Sequence, residues 1–470
     1  MDRPVDRGRA DFYDRNMNTD AYCLVLSGGG TKGVFHIGAW RALREMEVPV
    51  EAVVGNSIGA IIAGFIAQGL NRELEKVGQK IGIDLVVKVP KDLLRDGDIQ
   101  VSLRQWDEFK KFYRGVVSRK GLDTSPIRNL LEKHLDETKL RNSGIDLGVV
   151  AFNISDMKPR EIFLDAMEPG KLIDYLLASS AFPGFEQPKI AGKKYIDGGV
   201  YNNIPYGMAR ERGYRRIIVI DVSGLGVNRR PDIQGSTTVY VKNSIKMGGV
   251  LDFDKDFLEK YTLLGYLDTM RAFNRFRGDL YFISPDHEFE NTFQKILKSP
   301  AAKSIVSEFR SDASDDEFDV SETIRDLLPE EHRLNRVLLY PLLDCAASNF
   351  QLERIREYSV SELVDIIRER SAEDDRKIAD IETDQNEKSQ FIGWIEEITK
   401  TAHDIFAFKE SPHFYFRLMD NVLAGSLPRM VLRKFQKYYP RVRAGALMTK
   451  LLTVSEDTGP NPDTAGTRPD

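Results

Sequence analysis

Cysteine is nearly absent: the chain has two in 470 residues, Cys23 and Cys345, far apart in sequence. That excludes a disulfide framework and a cysteine zinc site, and it fits a reducing compartment. Long apolar runs are lacking as well. The longest, near Ile58 to Leu70, is broken by Gly64, Gln68 and Gly69 and is too short to span a bilayer. Met1 to Asp20 is charged throughout and has no apolar segment of the kind that a secretory signal carries. Charge of one sign is missing too. Against 72 acidic residues stand 67 basic ones, a net charge of −5, so composition offers no footing for nucleic acid. The expectation is a cytoplasmic chain that meets membrane, if at all, peripherally and from its surface.

What remains is ordinary and informative. Hydrophobic residues make up 41% and charged residues 30%, as in globular proteins, and the length exceeds one average domain, so two are expected. Residues 1–20 read as an N-terminal extension. Over 21–285 strands alternate with helices: apolar strands at Tyr22 to Leu26 and Val50 to Val54, then Leu147 to Asn153, Glu161 to Leu164, Lys194 to Ile196, Arg216 to Val222 and Leu280 to Ile283. Helices are expected from Val34 to Met46 and from Ile58 to Gln68. Such alternation predicts an α/β fold with a mostly parallel sheet sandwiched by helices, and right-handed crossovers put the turns after the strands on one edge. Residues 286–454 show helical patterning and read as a mostly helical accessory domain. The Pro-, Gly-, Thr- and Asp-rich segment 455–470 reads as a disordered tail.

Four strings carry chemistry. Gly55-Asn56-Ser57-Ile58-Gly59 lies between the second strand and its helix. A serine on such a turn adopts strained backbone angles, flanking glycines leave room for them, and the helix N-terminus favours developing negative charge. At ordinary glycine and serine frequencies that pattern arises by chance in roughly one chain of this length in six, so its neighbours decide its weight. Gly28-Gly29-Gly30-Thr31-Lys32-Gly33 follows the first strand and presents consecutive unobstructed N–H groups to an anion. Ala178-Ser179-Ser180-Ala181-Phe182-Pro183 is a small-residue and proline block. Asp197-Gly198-Gly199 follows a strand and lets a carboxylate reach into a site that larger neighbours would block.

In this order the four strings resemble the patatin-like phospholipase family, over about Tyr22 to Pro205. The resemblance implies Ser57 as nucleophile and Asp197 as base of a Ser–Asp dyad. It makes Gly28, Gly29, Gly30, Thr31, Lys32 and Gly33 the oxyanion hole, with Lys32 standing where many members have Arg. It implies lipid acyl hydrolysis through an acyl-enzyme, of phospholipase A or lysophospholipase type, with membrane phospholipid as substrate. No cofactor and no metal are expected.

Other readings of the same residues fit less well. Gly28-x-Gly30-x-x-Gly33 also matches a dinucleotide fingerprint, but that needs an acid closing the second strand, which ends in Val54-Gly55 with Glu51 at its start. Val34 follows Gly33 where a phosphate loop needs lysine. A Ser-His-Asp hydrolase needs a histidine after the acid; His287, His332, His403 and His413 qualify by position, none in a recognisable setting, while His36 reads as a packing residue. Asp252, Asp254 and Asp256 alternate like a calcium loop, yet Phe257 and Leu263 occupy the glycine and glutamate positions, so activity is expected to be calcium-independent.

Phe414 to Leu452 carries eight basic residues (Arg417, Arg429, Arg433, Lys434, Lys437, Arg441, Arg443, Lys450) against Asp420, with Val431, Phe435 and Tyr438 at helical spacing. Two readings fit: docking on an anionic membrane surface, or a helix packed on the protein with solvated lysines. Two functional alternatives also stand beside the hydrolase. One is a toxin or defence effector, delivered into another cell, whose helical domain awaits a protein or small-molecule activator. The other is a catalytically silent lipid-binding scaffold, which an intact Ser57 and Asp197 speak against.

Overall fold

The structure is a computed structural model that describes residues 21–88, 121–229, 233–310, 317–383, 411–421 and 440–454. The expected N-terminal extension and the tail 455–470 lie outside the described residues. The chain divides into two compact units, Met1–Phe273 and Asn274–Asp470.

The first unit is built on an eight-stranded sheet ordered β5-β6-β3-β2-β1-β7-β8, with β4 also paired to β3. The strands are β1 (Tyr22–Leu26), β2 (Val50–Asn56), β3 (Asp146–Asn153), β4 (Lys158–Phe163), β5 (Lys189–Ile190), β6 (Lys193–Asp197), β7 (Arg216–Asp221) and β8 (Thr237–Lys242). The run β3-β2-β1-β7-β8 is parallel, whereas β4 and β6 run antiparallel to β3. The central strands are apolar on both faces because both are covered. On one face Cys23, Val25, Ala52 and Val54 pack with Ile204, Met208 and Ala209. By strand alternation Leu24 and Leu26 point to the other face. Helix α1 (Val34–Glu45) meets the helix Lys255–Ala272, where the Phe35 and Tyr261 rings lie 5.3 Å apart.

Two relationships in this sheet position the site. First, β1 and β7 are neighbours, yet the chain leaves β1 toward β2 and β7 toward β8. That is a switch point, and it opens a crevice at the carboxyl ends of the two strands. Second, β2 ends opposite Val150 of β3, and β6 continues along the same edge, with Asp197 opposite Ala151. The loops after β1 and β2 and the end of β6 therefore converge on one place.

Two short strands escaped the sequence pattern. β8 is an edge strand, and its Thr- and Tyr-containing sequence lacks a continuous apolar run; β5 has only two residues. The stretch near Leu280 to Ile283 does not join the main sheet, contrary to expectation. It is Phe282–Ile283, paired with Glu357–Tyr358 in a separate two-stranded sheet of the second unit. So short an apolar stretch carries no signal for which partner it will find.

Helices dominate the second unit. Leu339–Asn349, Val360–Thr383, Pro412–Asn421 and Pro440–Leu451 contribute to a core that includes Leu343, Leu363, Phe416 and Leu447. Of the basic segment, Arg429, Arg433, Lys434 and Lys437, with Val431, Phe435 and Tyr438, lie outside the described residues. Three of its other members are engaged inside the unit. Arg417 pairs with Asp375 at 3.0 Å, Lys450 with Glu308 at 2.7 Å, and Arg443 donates to the Phe309 carbonyl. Among the described residues, no helix is long and apolar enough to cross a membrane.

Candidate active site

Ser57 stands between β2 and helix α2 (Ile58–Ala67), with φ 54° and ψ −128°. Those angles lie where a side chain is disfavoured, and the packing around the turn holds them there. The turn is tight because Gly55 lies against the start of α2: a Cβ on Gly55 would sit 2.4 Å from the Gly59 carbonyl oxygen. The Ser57 N–H donates to Ser179 Oγ at 2.9 Å, so the buried end of the helix Leu172–Ser179 braces the turn. The string around Ser179 thus reaches the site through a hydroxyl.

The Ser57 hydroxyl and the Asp197 carboxylate meet in one cavity, where the hydroxyl favours the ionised form of the acid. Asp197 is buried, and burial pushes its carboxyl above the usual carboxylate range; the nearby Ser57 hydroxyl and the hydrogen bonds from the Gly199 N–H and Asn56 oppose that shift. Asp197 Oδ1 accepts from the Gly199 N–H at 2.7 Å and from Asn56 Nδ2 at 3.3 Å. Gly198 and Gly199 form the 3₁₀ turn that closes this capping arrangement. Asn56 is fully buried and reaches the acid because β2 and β6 occupy consecutive positions on one edge of β3.

Asn203 ties the loops together, a role with no mark in the sequence pattern. Its side-chain oxygen accepts from Asn56 Nδ2 at 3.1 Å, and its amide donates to the Gly28 carbonyl at 3.2 Å. Its main chain takes the Gly28 N–H at 3.1 Å. Asn202-Asn203 before Ile204-Pro205 reads as turn residues, and only tertiary packing reveals that one of them faces inward.

The glycine string narrows on inspection. Gly28, Gly29, Gly30 and Thr31 line the cavity that holds Ser57, whereas Lys32 and Gly33 do not. The Gly28 N–H is bound to Asn203, that of Thr31 to the Val250 carbonyl at 3.0 Å, and that of Lys32 to the Gly29 carbonyl at 3.3 Å. The expectation that all of Gly28 to Gly33 offer donors is therefore corrected. Gly29 and Gly30 are the pair whose N–H groups have no acceptor among the described residues. The fold consumes the other donors to hold the loop in shape.

The cavity has a volume of about 300 Å³. Its wall is mostly apolar, with Ile58, Ile61, Ile127, Leu177 and Phe182 prominent, and Thr124, Ser180 and Glu186 add polar side chains to those already named. An apolar slot with a hydroxyl, a carboxylate and main-chain donors at one point suits an acyl chain with its ester at that point.

Among the described residues, no histidine lines this cavity. His36 is buried, both ring nitrogens lack a partner, and desolvation lowers its pKa from 6.5 to about 4. His287 sits near Glu290, His332 bonds Asp279 at 2.7 Å, and His413 is buried beside Ser371; all three belong to the second unit. His403 lies outside the described residues. Asp254 caps the helix Lys255–Ala272 through the Phe257 N–H, and Asp252 accepts from the Asp254 N–H, so both serve local turns. Among the described residues, one trio of metal-ligand types converges, Asp279, His332 and Asp344. The Asp344 carboxylate, however, is filled by the N–H groups of Asp279, Leu280 and Tyr281, which makes it a main-chain clamp.

Comparison with known proteins gives one family match and several partial relatives. The family model described as patatin-like phospholipase matches residues 24–210. Patatin-like phospholipase domain-containing protein ZK370.4 of Caenorhabditis elegans is 30% identical over 223 residues, 46% of this chain and 15% of that protein. Lysophospholipase NTE1 of Cryptococcus neoformans var. neoformans serotype D is 27% identical over 203 residues, 43% of this chain and 11% of that protein. The match therefore spans about a seventh or less of the curated relatives' length. Among solved structures, VipD from Legionella pneumophila aligns at 15% identity with a TM-score of 0.35, over 94% of this chain and 93% of that one.

Proposed function

From the match of residues 24–210 to the patatin-like phospholipase family model, we propose that this chain is a lipid acyl hydrolase working through Ser57 and Asp197. One observation carries the reading. A serine held at φ 54° on a helix N-terminus shares an apolar cavity with a buried carboxylate whose ionised form it favours.

The chemistry follows from the geometry. Asp197 accepts the Ser57 proton as the hydroxyl oxygen attacks the ester carbonyl, and burial makes this carboxylate a stronger base than an exposed one. The N–H groups of Gly29 and Gly30 receive the oxyanion of the tetrahedral intermediate. The alcohol leaves with the proton from Asp197, and the acyl group stays on Ser57. Water, deprotonated by the same carboxylate, then releases the fatty acid. Asn56 and Asn203 act as positioning residues, since they hold the acid, the serine turn and the glycine loop in one network.

Phospholipids or lysophospholipids are the substrate class, in keeping with the name of the fungal relative, a lysophospholipase. The test is fatty-acid release from mixed phospholipid vesicles by wild type, Ser57→Ala and Asp197→Asn, with and without chelator. Wild type should release fatty acid regardless of chelator, and each variant should be about a thousandfold slower or worse. Full activity in either variant would sink the dyad. A low wild-type rate that rises with cell extract would instead point to an activator acting with the same residues.

A further inference from the structure

Four aliphatic side chains at the cavity mouth stand in water. Leu225 is 68% exposed, Leu251 50%, Val227 49% and Val200 44%, and all four also line the cavity that contains Ser57. They come from three separate segments: the turn after Asp197, the loop after β7 and the loop before the helix Lys255–Ala272. Single exposed apolar residues need no explanation, but a ring of them around one opening does.

Both outer loops are hydrogen-bonded to the site itself. The Val227 N–H donates to the Gly199 carbonyl at 2.8 Å, and the Asn203 N–H to the Val227 carbonyl at 2.8 Å. On the other side, Thr31 donates through its N–H to the Val250 carbonyl, and its hydroxyl accepts from the Asp252 N–H at 3.1 Å. The rim is thus fixed to the acid turn and to the glycine loop. Whatever seats on it is set in a defined orientation to Ser57.

We propose that Val200, Leu225, Val227 and Leu251 form an insertion rim that seats the cavity mouth in the surface of a zwitterionic phospholipid bilayer. This rests on the lipid-hydrolase reading above. Leu and Val are under-represented among the anchors of protein interfaces, where Trp, Tyr and Arg dominate, and this rim has none of the three among its four members. A lipid molecule bound for Ser57 must also cross these residues, because they are the mouth. Charges of both signs neighbour these residues in sequence, Arg229, stacked 3.8 Å over the Tyr201 ring, and Lys246 on one hand, Asp252 and Asp254 on the other, and Glu186 lines the cavity itself. Attraction to anionic lipid is therefore not the driving force, and burial of aliphatic surface is.

The test uses the full chain carrying Ser57→Ala, so that vesicles stay intact, in co-sedimentation with phosphatidylcholine vesicles at low and high salt. Adding Leu225→Asp and Leu251→Asp should weaken sedimentation about tenfold or more, while Leu225→Met and Leu251→Met should retain it. Binding should change little with salt. Equal sedimentation of the aspartate variant, the result expected if the rim covers a protein face, overturns the proposal. So does binding that collapses at high salt. In the active protein, the aspartate pair should lower the ratio of vesicle hydrolysis to hydrolysis of a water-soluble ester about tenfold. Should no ester be cleaved by any form, the hydrolase reading fails, and the sedimentation result still decides the rim.

Discussion

Asn56 Nδ2 lies 3.3 Å from Asp197 Oδ1 because the two residues stand on different strands but at consecutive positions along one edge of β3, opposite Val150 and Ala151. The acid is thus located by a backbone ladder, and its side chain is then held by an amide that also grips Asn203. Replacing Asn56 by Ala leaves Asp197 and Asn203 each short of a donor in a buried place. Activity should fall, and thermal unfolding should show a loss of about 1–3 kcal/mol. Asn56→Asp should do more, since a second carboxylate beside Asp197 raises the acid's pKa further. The acid limb of its pH–rate profile should move upward; an unmoved limb would remove Asn56 from the acid's environment.

Burial raises the pKa of Asp197, so the folded chain binds this proton more tightly than the unfolded chain does. The stability that the carboxyl contributes is present below its unfolded pKa and is lost as the pH rises through the folded one. At neutral pH the ionised acid is therefore a burden on the fold. Asp197→Asn should be inactive, yet melt at or above the wild-type temperature at pH 7 to 8, with the difference shrinking toward pH 4. A variant that melts well below wild type at neutral pH would contradict this.

The backbone of Ser57 offers a comparison between two inactive proteins. Ala keeps the disfavoured φ of 54°, whereas Gly accepts it without strain. Ser57→Gly should be more stable than Ser57→Ala by about 1–3 kcal/mol in denaturant unfolding, less the extra entropy that glycine gains when unfolded. Equal midpoints would mean that the turn stores no strain.

His36 gives the fold an acid-sensitive point. Its imidazole has a pKa of about 4 in the folded chain against 6.5 when free of it. Between those values the unfolded chain holds more protons, so stability is complete above pH 6.5 and declines as pH falls toward 4, by about 3 kcal/mol in all. His36→Leu should flatten the fall in melting temperature over that interval. An unchanged slope would assign the acid sensitivity to other groups, of which His413, also lowered to about 4, is the first candidate.

The parts of the site visible in the sequence are those whose backbone is unusual. Glycines bracket Ser57, follow Asp197 and fill the loop after β1, and each marks a place where the main chain turns sharply or packs tightly. Asn203 and Ser179 left no such mark. A lone inward amide or hydroxyl looks like any turn residue until the strands are assembled. The central strands were legible because burial on both faces demands continuous apolar sequence, as in Cys23 to Leu26. β8 was not, because an edge strand alternates with solvent, and neither was the loss of the Lys32 side chain from the cavity wall, which depends on how the 3₁₀ turn Gly30–Gly33 rotates.

The end-to-end placement of β2 and β6 on β3 also defines a way for this protein to fail quietly. Strand side chains alternate faces, so a slip of β6 by a single residue would turn Asp197 away from Ser57, together with the buried Tyr195, while the strands β3-β2-β1-β7-β8 keep their pairing. Deleting one residue from the hairpin at Ala191-Gly192, between β5 and β6, invites that slip. Inherited or engineered changes there would silence the chemistry from a turn far in sequence from Ser57, through strand register and not through loss of any catalytic side chain.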